Sequence, residues 1–480
     1  MNRRILMENG WIIALYFSGI AACLGIATVL KLKVRIFQKH LMPTSMLAGA
    51  IGFIALQLAR YVFGWLDEET LRKIQHELGY LVSHLMAIGF IALALKDRNK
   101  KRNTDIVNTG YAIVKTYMVQ GILGFGISLF LARFFYPDMF PPLGMMLPLG
   151  FAQGPGQAVN IGIKWEEAGF TDGANIGLAI ANLGFVWALV GGVPFLNFLL
   201  KRVYKNHKKY GINEVKDMEL EKHTKRTMFV PKSMHIDDLT IQLLLIGSAY
   251  LVTYLLLWGM SKILTHLGTF GETVSEMLWG FNFVIGTVVA LAARGIIDRL
   301  RVKRVIRHKY ADNYLLQRIS TSSFDFMITA SLAAVSLSVL KSNLGPILII
   351  TTAGGLFMMV YCYYLGKMIY KDEQLEHIIA LYGLWTGTIT TGIALLREID
   401  PYAKSRVSEN LVLGSGFAIF VGFPLMFILA LPIHGFKHNQ PIYYFWTFVA
   451  MIAMDILMTV LLYLNRPGRK QEGKQNKKRV

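Results

Sequence analysis

Long apolar runs separated by short polar connections organise the whole chain. They fall near residues 10–30, 42–63, 78–95, 109–132, 173–200, 239–259, 276–297, 321–340, 345–367, 408–433 and 442–464. About 20 apolar residues rising ~1.5 Å each cross the ~30 Å hydrocarbon core of a bilayer. The spacing therefore predicts an all-α polytopic membrane protein with eleven spans. The first run follows Arg3 and Arg4 without a small-residue cleavage site behind it, so it reads as a retained span.

Two further stretches fit neither a span nor a loop. Residues Pro141 to Trp165, PPLGMMLPLGFAQGPGQAVNIGIKW, are apolar but interrupted by Gly150, Gly154, Pro155 and Gly156. Residues His377 to Asp400, HIIALYGLWTGTITTGIALLREID, are interrupted by Gly383, Gly387 and Gly392. The spans flanking each stretch leave and return on one side of the membrane. Each stretch is thus predicted to be a re-entrant hairpin, a backbone tolerated only where protein or water satisfies it.

The two stretches align at one constant offset. Gly150 pairs with Gly383, Gly154 with Gly387, Gln157 with Thr390, Lys164 with Arg397 and Glu167 with Asp400. Each half then reads four spans, a hairpin and a fifth span, and the halves start on opposite sides. This is the pattern of an inverted-topology repeat, whose binding sites lie at broken segments of the two halves. The predicted organisation is a first repeat over 1–200 with its hairpin at about 141–165, and a basic cytoplasmic linker over 201–238. A second repeat follows over 239–433 with its hairpin at about 377–400. An extra span over 434–465 and a basic cytoplasmic tail over 466–480 complete the chain.

Charge fixes the orientation. Of the 50 Lys and Arg, 33 lie in segments 31–39, 96–102, 201–232, 299–318 and 466–480. The intervening loops 64–77, 260–275 and 434–441 hold only Arg72, Lys73, Lys262 and Lys437. By the positive-inside rule the N-terminus is outside and the C-terminus is in the cytoplasm. The net charge of +20 is then a topology signal and a contact with the cytoplasmic leaflet. A nucleic-acid partner does not fit, because the basic segments mix in acidic residues and lack interleaved aromatics. The composition agrees with a membrane chain: 54% hydrophobic, 17% charged and 44 Gly, which lets helices approach closely. Cys23 and Cys362 both lie within apolar runs, so no disulfide framework is implied.

The candidate chemistry sits at the hairpins. Gln153 and Gln157 flank the glycine–proline break, and an amide offers donors and an acceptor to a carboxylate or an amino-acid backbone. Gly154 and Gly156 allow unusual dihedrals and close backbone approach. The half-helix starting near Gln157 points its positive end into the break, which favours an anion. In the second hairpin, Thr386, Gly387, Thr388, Thr390 and Thr391 offer hydroxyl and carbonyl oxygens, hard ligands suited to Na⁺. Asn160 and Asn182 lie near the same layer. Lys115, a turn or two inside the cytoplasmic end, is expected to snorkel, and Asp455 in the unpaired last span suggests an interface role. There is no HExxH, no zinc-spaced Cys/His cluster, no nucleophile elbow and no phosphate loop after GQAVNIG. Neither an enzyme nor a transition-metal site nor a cofactor is expected, and no catalytic residue is assigned.

The segment from MVQGILGFG to NIGLAIANLGF and the second-half YGLWTGTITTGIALLREIDP together resemble the bacterial sodium/glutamate symporter family. Gln120 and Gly124 match that family's glutamine–glycine pattern in its fourth span, which makes Gln120 a candidate substrate ligand. The second hairpin matches its G-x-G-x-T-x-T form. The likeness covers roughly 10–433 and excludes the last span. Where the family commonly carries GGHGT, this chain has Ala152-Gln153-Gly154-Pro155-Gly156, and the tenth span lacks the family's acidic residue. The resemblance implies Na⁺-coupled symport of glutamate or a related small carboxylate by alternating access, in the cell (inner) membrane and as a homodimer. Import or export of a different organic anion on the same fold is the alternative. A channel would need a continuous polar lining.

Overall fold

The computed structural model describes residues 2–34, 43–96, 104–206, 237–305, 310–400 and 405–465. Most of the basic linker expected over 201–238 and all of the tail over 466–480 lie outside the described residues. Every element among the described residues is helical.

In chain order the first four helices are α1 Asn2–Lys33, α2 Thr44–Tyr61, α3 Glu68–Leu95 and α4 Thr104–Phe134. A 3-10 turn Pro141–Met145 leads into α5 Met146–Gly150, followed by α6 Pro155–Glu166 and α7 Gly173–Val186. A π-helical turn Trp187–Gly191 joins α7 to α8 Gly192–Asn206. Then come α9 Asp238–Thr265, α10 Gly268–Gly280, α11 Asn282–Val302, α12 Asn313–Ala333 and α13 Leu337–Ser342. The last six are α14 Leu344–Ile369, α15 Gln374–Thr386, α16 Ile389–Leu396, α17 Val407–Val421, α18 Leu425–Lys437 and α19 Ile442–Leu464.

Local chemistry explains several starts. Asp67 caps α3 by accepting from the Thr70 N–H at 2.7 Å, and Asp312 caps α12 by accepting from Tyr314 and Leu315 N–H at 2.8 and 2.9 Å. Each cap satisfies donors that the first turn leaves unpaired. At Asp67 the hydrogen bonds from Thr70 hold the carboxyl below its usual range.

Among the described residues, seven helices are long and apolar enough to cross a membrane, and two bent pairs qualify when each is taken as one span. The total among them is therefore up to nine where the hydropathy predicts eleven. The expected spans at 42–63 and 321–340 form helices but are not among the nine. Thr44–Tyr61 is only 18 residues long and carries Gln57 and Arg60, and Asn313–Ala333 carries Arg318, Asp325 and a Ser-Thr-Ser-Ser run. The latter helix also stops at Ala333, short of the expected 340, and Ser336 caps a separate α13. The expected single spans at 276–297 and 408–433 are bent, by 67° between α10 and α11 and by 55° between α17 and α18.

The distribution of side chains is that of a membrane protein. On α9, Leu251 is 61% exposed and Leu255 53%, whereas Gln242 and Thr253 are buried. Large apolar residues face outward because lipid tails are as apolar as they are. Small and polar residues pack inward, where Thr253 donates to the Ala249 carbonyl at 2.7 Å.

Two packed groups of helices result. In the first, α12 lies against α2 and α3, with α1, α9 and α11 around them. In the second, α4 lies against α17 and α19, α6 against α7, and α15 against α14 and α16. The bent helix α10 touches both α6 and α18.

Candidate functional site

Each of the two glycine-interrupted stretches forms helix, break and helix. In the first, α5 ends at Gly150 and α6 begins at Pro155. Gly154 between them holds φ at 86°, a conformation that glycine adopts without steric cost. Pro155 follows at the first helical position, where its missing N–H removes no bond. In the second stretch, α15 ends at Thr386 and α16 begins at Ile389, with Gly387 and Thr388 between. The breaks thus fall at Gly154 and Gly387, the pair that the sequence offset aligns.

The two breaks meet. A Cβ placed on Gly154 would lie 3.2 Å from Thr388 Cγ2 and 3.7 Å from the Gly387 carbonyl oxygen. Beside this junction is a cavity of about 100 Å³. Ala152 and Gln153 enter it from the first break, Leu384 from α15, and Thr388, Ile389 and Thr390 from the second break. Tyr117 of α4 and Ser415, Ala418 and Ile419 of α17 complete that side. The opposite wall belongs to the first helix group: Met86 and Phe90 of α3, Phe283 and Val284 of α11, and Phe324, Met327 and Ile328 of α12. Phe281, at the bend between α10 and α11, joins this wall. The cavity therefore lies where the two groups face each other.

Its polar groups are few and partly unsatisfied. Gln153 Nε2 and Ser415 Oγ are buried without a hydrogen-bond partner. The Thr388 N–H donates to Thr391 Oγ1 at 2.8 Å, and that hydroxyl donates to the Gly383 carbonyl at 2.7 Å. The Thr386 hydroxyl donates back to the Tyr382 carbonyl at 2.7 Å. Among the described residues, no charged side chain lines the cavity. The N-termini of α6 and α16 both begin at the junction, so two positive helix ends converge there.

Of the residues singled out in the sequence, Gln153, Thr388 and Thr390 come together on this cavity, with Gly154 and Gly387 at the junction behind it. The others sit in packed surroundings. Gly156 packs on Met86, and Thr386 and Thr391 are buried with their hydroxyls bonded to backbone. Gln157 and Asn160 are buried on α6, and neither amide has a partner at its nitrogen or its oxygen. Gln120 Nε2 donates to the Trp385 carbonyl at 2.8 Å. Asn182 Nδ2 donates to the Ser331 carbonyl at 3.3 Å. Sequence reasoning missed Ser415 and the aromatic wall. Phenylalanines within membrane runs carry no pattern that separates cavity-facing from lipid-facing positions.

Lys115 does not snorkel. Its ammonium donates to both carboxylate oxygens of Asp455, at 2.6 and 2.8 Å, and to Thr459 Oγ1 at 2.8 Å. The pair ties the last helix, α19, to α4, next to the cavity-lining Tyr117 but turned away from the cavity.

The chain matches no protein-family model and no curated protein.

Proposed function

We propose that the protein is a secondary active transporter that moves glutamate or a related small carboxylate together with Na⁺ by alternating access. It would work in the cell (inner) membrane with its N-terminus outside and its C-terminus in the cytoplasm, as a homodimer. The observation that carries this reading is the meeting of the two helix breaks at one cavity between two helix groups. Irregular backbone inside a membrane is costly unless it builds something, and broken helices around a central site are the construction of secondary transporters.

The composition of the two groups supports an inverted repeat. The first half gives α1, α2 and α3 to one group, and α4, its broken segment and α7 to the other. The second half gives α9, α11 and α12 to the first group, and α14, its broken segment and α17 to the second. Both broken segments are then re-entrant hairpins that start from opposite faces. Movement of one group past the other would expose the cavity alternately to each side. An apolar, aromatic wall suits occlusion of a substrate and not a continuous water-filled channel.

The converging positive helix ends and the Gln153 amide favour the carboxylate, while the hydroxyls and free carbonyls of the second break serve Na⁺. Replacing Thr388 and Thr390 by Val keeps the volume and removes the hydroxyls. The apparent Na⁺ affinity is expected to fall about tenfold, ~1.4 kcal/mol, the scale of one lost polar contact. Na⁺ dependence unchanged in both variants excludes those side chains as ligands.

Coupling gives the broader test. One Na⁺ with a monoanion moves no net charge, so a tenfold Na⁺ ratio contributes only ~1.4 kcal/mol. Two Na⁺ double that to ~2.8 kcal/mol, and the net positive charge adds ~2.3 kcal/mol per 100 mV. We expect the two-ion cycle. In liposomes with an imposed Na⁺ gradient, uptake should rise when a valinomycin K⁺ potential is made inside-negative. Indifference of both rate and steady-state level to that potential refutes the two-ion version, and the absence of Na⁺-driven uptake for every carboxylate tested refutes the symport reading.

A further inference from the structure

We infer that the substrate is a monocarboxylate with an apolar tail, and that glutamate and other dicarboxylates are excluded. The inference rests on the transporter reading above, keeps its small carboxylate and sets glutamate aside as the substrate. Among the described residues, the lining of the cavity holds no Lys, Arg, His, Asp or Glu. Gln153 Nε2 and Ser415 Oγ are buried donors without a partner. With the N-terminal turns of α6 and α16 at the adjoining junction, they offer donors to one carboxylate, and both belong to the helix group that carries the breaks.

Everything across from them is hydrophobic. Met86, Phe90, Phe281, Phe283, Phe324 and Met327 form the facing wall. A ligand held by its carboxylate at the breaks must lay the rest of itself against these side chains. Aromatic faces are electron-rich and repel a second carboxylate, and no cationic side chain among the described residues lines the cavity to pair with it. An ionised group buried without a partner carries a heavy desolvation cost. An alkyl or aryl tail gains from the same surface.

The test uses full-length protein in liposomes on a solid-supported membrane. This records charge movement and so ignores the electroneutral leak of protonated weak acids. The probes are isocaproate, phenylacetate, succinate and glutamate, each applied with and without Na⁺. Thermal stabilisation of the purified protein is measured in parallel. We expect saturable Na⁺-dependent currents with isocaproate or phenylacetate at concentrations at least tenfold below any response to succinate or glutamate. Ser415→Ala should raise the half-saturating isocaproate concentration severalfold. Na⁺-dependent currents with glutamate or succinate and none with the monocarboxylates overturn the inference while leaving the transporter reading standing. If no probe gives a current, thermal stabilisation by isocaproate alone still supports the pocket's chemistry and counts against an electrogenic cycle. Absence of both current and stabilisation with the two monocarboxylates overturns the inference.

Discussion

Asp455→Asn and Lys115→Ala each lower the stability of the purified protein by about 3–5 kcal/mol, the cost of breaking a buried ion pair by removing one partner. The ammonium of Lys115 meets both oxygens of Asp455 and the Thr459 hydroxyl, and both side chains are largely covered, at 12% and 22% exposure. Asp455→Asn leaves the lysine charge without a counter-charge on a side chain that is only 12% exposed. Lys115 lies twelve residues into α4, and its ammonium is held by Asp455 and Thr459 of the last helix. The double variant Lys115→Met with Asp455→Leu should lie within about 1.5 kcal/mol of the native protein, because replacing a buried pair with apolar residues of similar volume is often neutral. Thermal unfolding in detergent and in lipid nanodiscs measures all three. Equal stability of the single variants and the native protein would show that the pair contributes nothing to holding α19 on α4.

The second large effect is at the contact between α4 and the first broken segment. A Cβ on Gly124 would overlap the carbonyl oxygen of Gly144, and a Cβ on Gly144 would overlap that of Gly124. These obstacles are backbone atoms on both sides, which no rotamer change can move aside. Ser128 locks the same contact by donating to the Pro141 carbonyl at 2.7 Å. Gly124→Ala and Gly144→Ala are each expected to cost more than the ~1–3 kcal/mol usual for overpacking and to reduce the monodisperse protein recovered by size exclusion severalfold. Gly126→Ala is the internal control. A Cβ there meets nothing within 4 Å, and alanine is the better helix former by ~0.5–1 kcal/mol. A Gly126 variant that loses as much as the other two would trace the effect to helix chemistry in general and not to this contact.

Much of the helix layout was legible in the sequence, because hydrophobic length is a direct requirement of the bilayer. The breaks were legible for a different reason: Gly154-Pro155 and Gly387 are local punctuation whose effect on the backbone needs no tertiary information. The bends were not. At Phe281 the local sequence Trp-Gly-Phe-Asn has one glycine and no proline, and hydropathy averages across it. At Gly422 and Pro424 the signal was present, but within an apolar run long enough to pass as one span. Site residues divided along the same line. Gln153, Thr388 and Thr390 stand at the punctuation and could be named, whereas Ser415 and the aromatic wall are defined by which helix faces which. The Lys115–Asp455 pair joins residues 340 positions apart, and only packing reveals that the lysine turns to the last helix and not to the aqueous surface.

The junction of the two breaks also bears on how the chain is made. Gly154 is covered by Gly387 and Thr388, which leave the ribosome about 230 residues later, or roughly 10–50 s at ~5–20 residues per second. Throughout that interval the first broken segment lacks the element that completes it, and its unpartnered amides, those of Gln157 and Asn160, have only the insertion machinery or α7 to shelter them. The second broken segment has no such wait, since α4 with Gln120 is already in place to receive the Trp385 carbonyl. The first half is therefore the one exposed to quality control during synthesis. Truncation after α9 should yield a fragment that is degraded faster than one ending beyond α16.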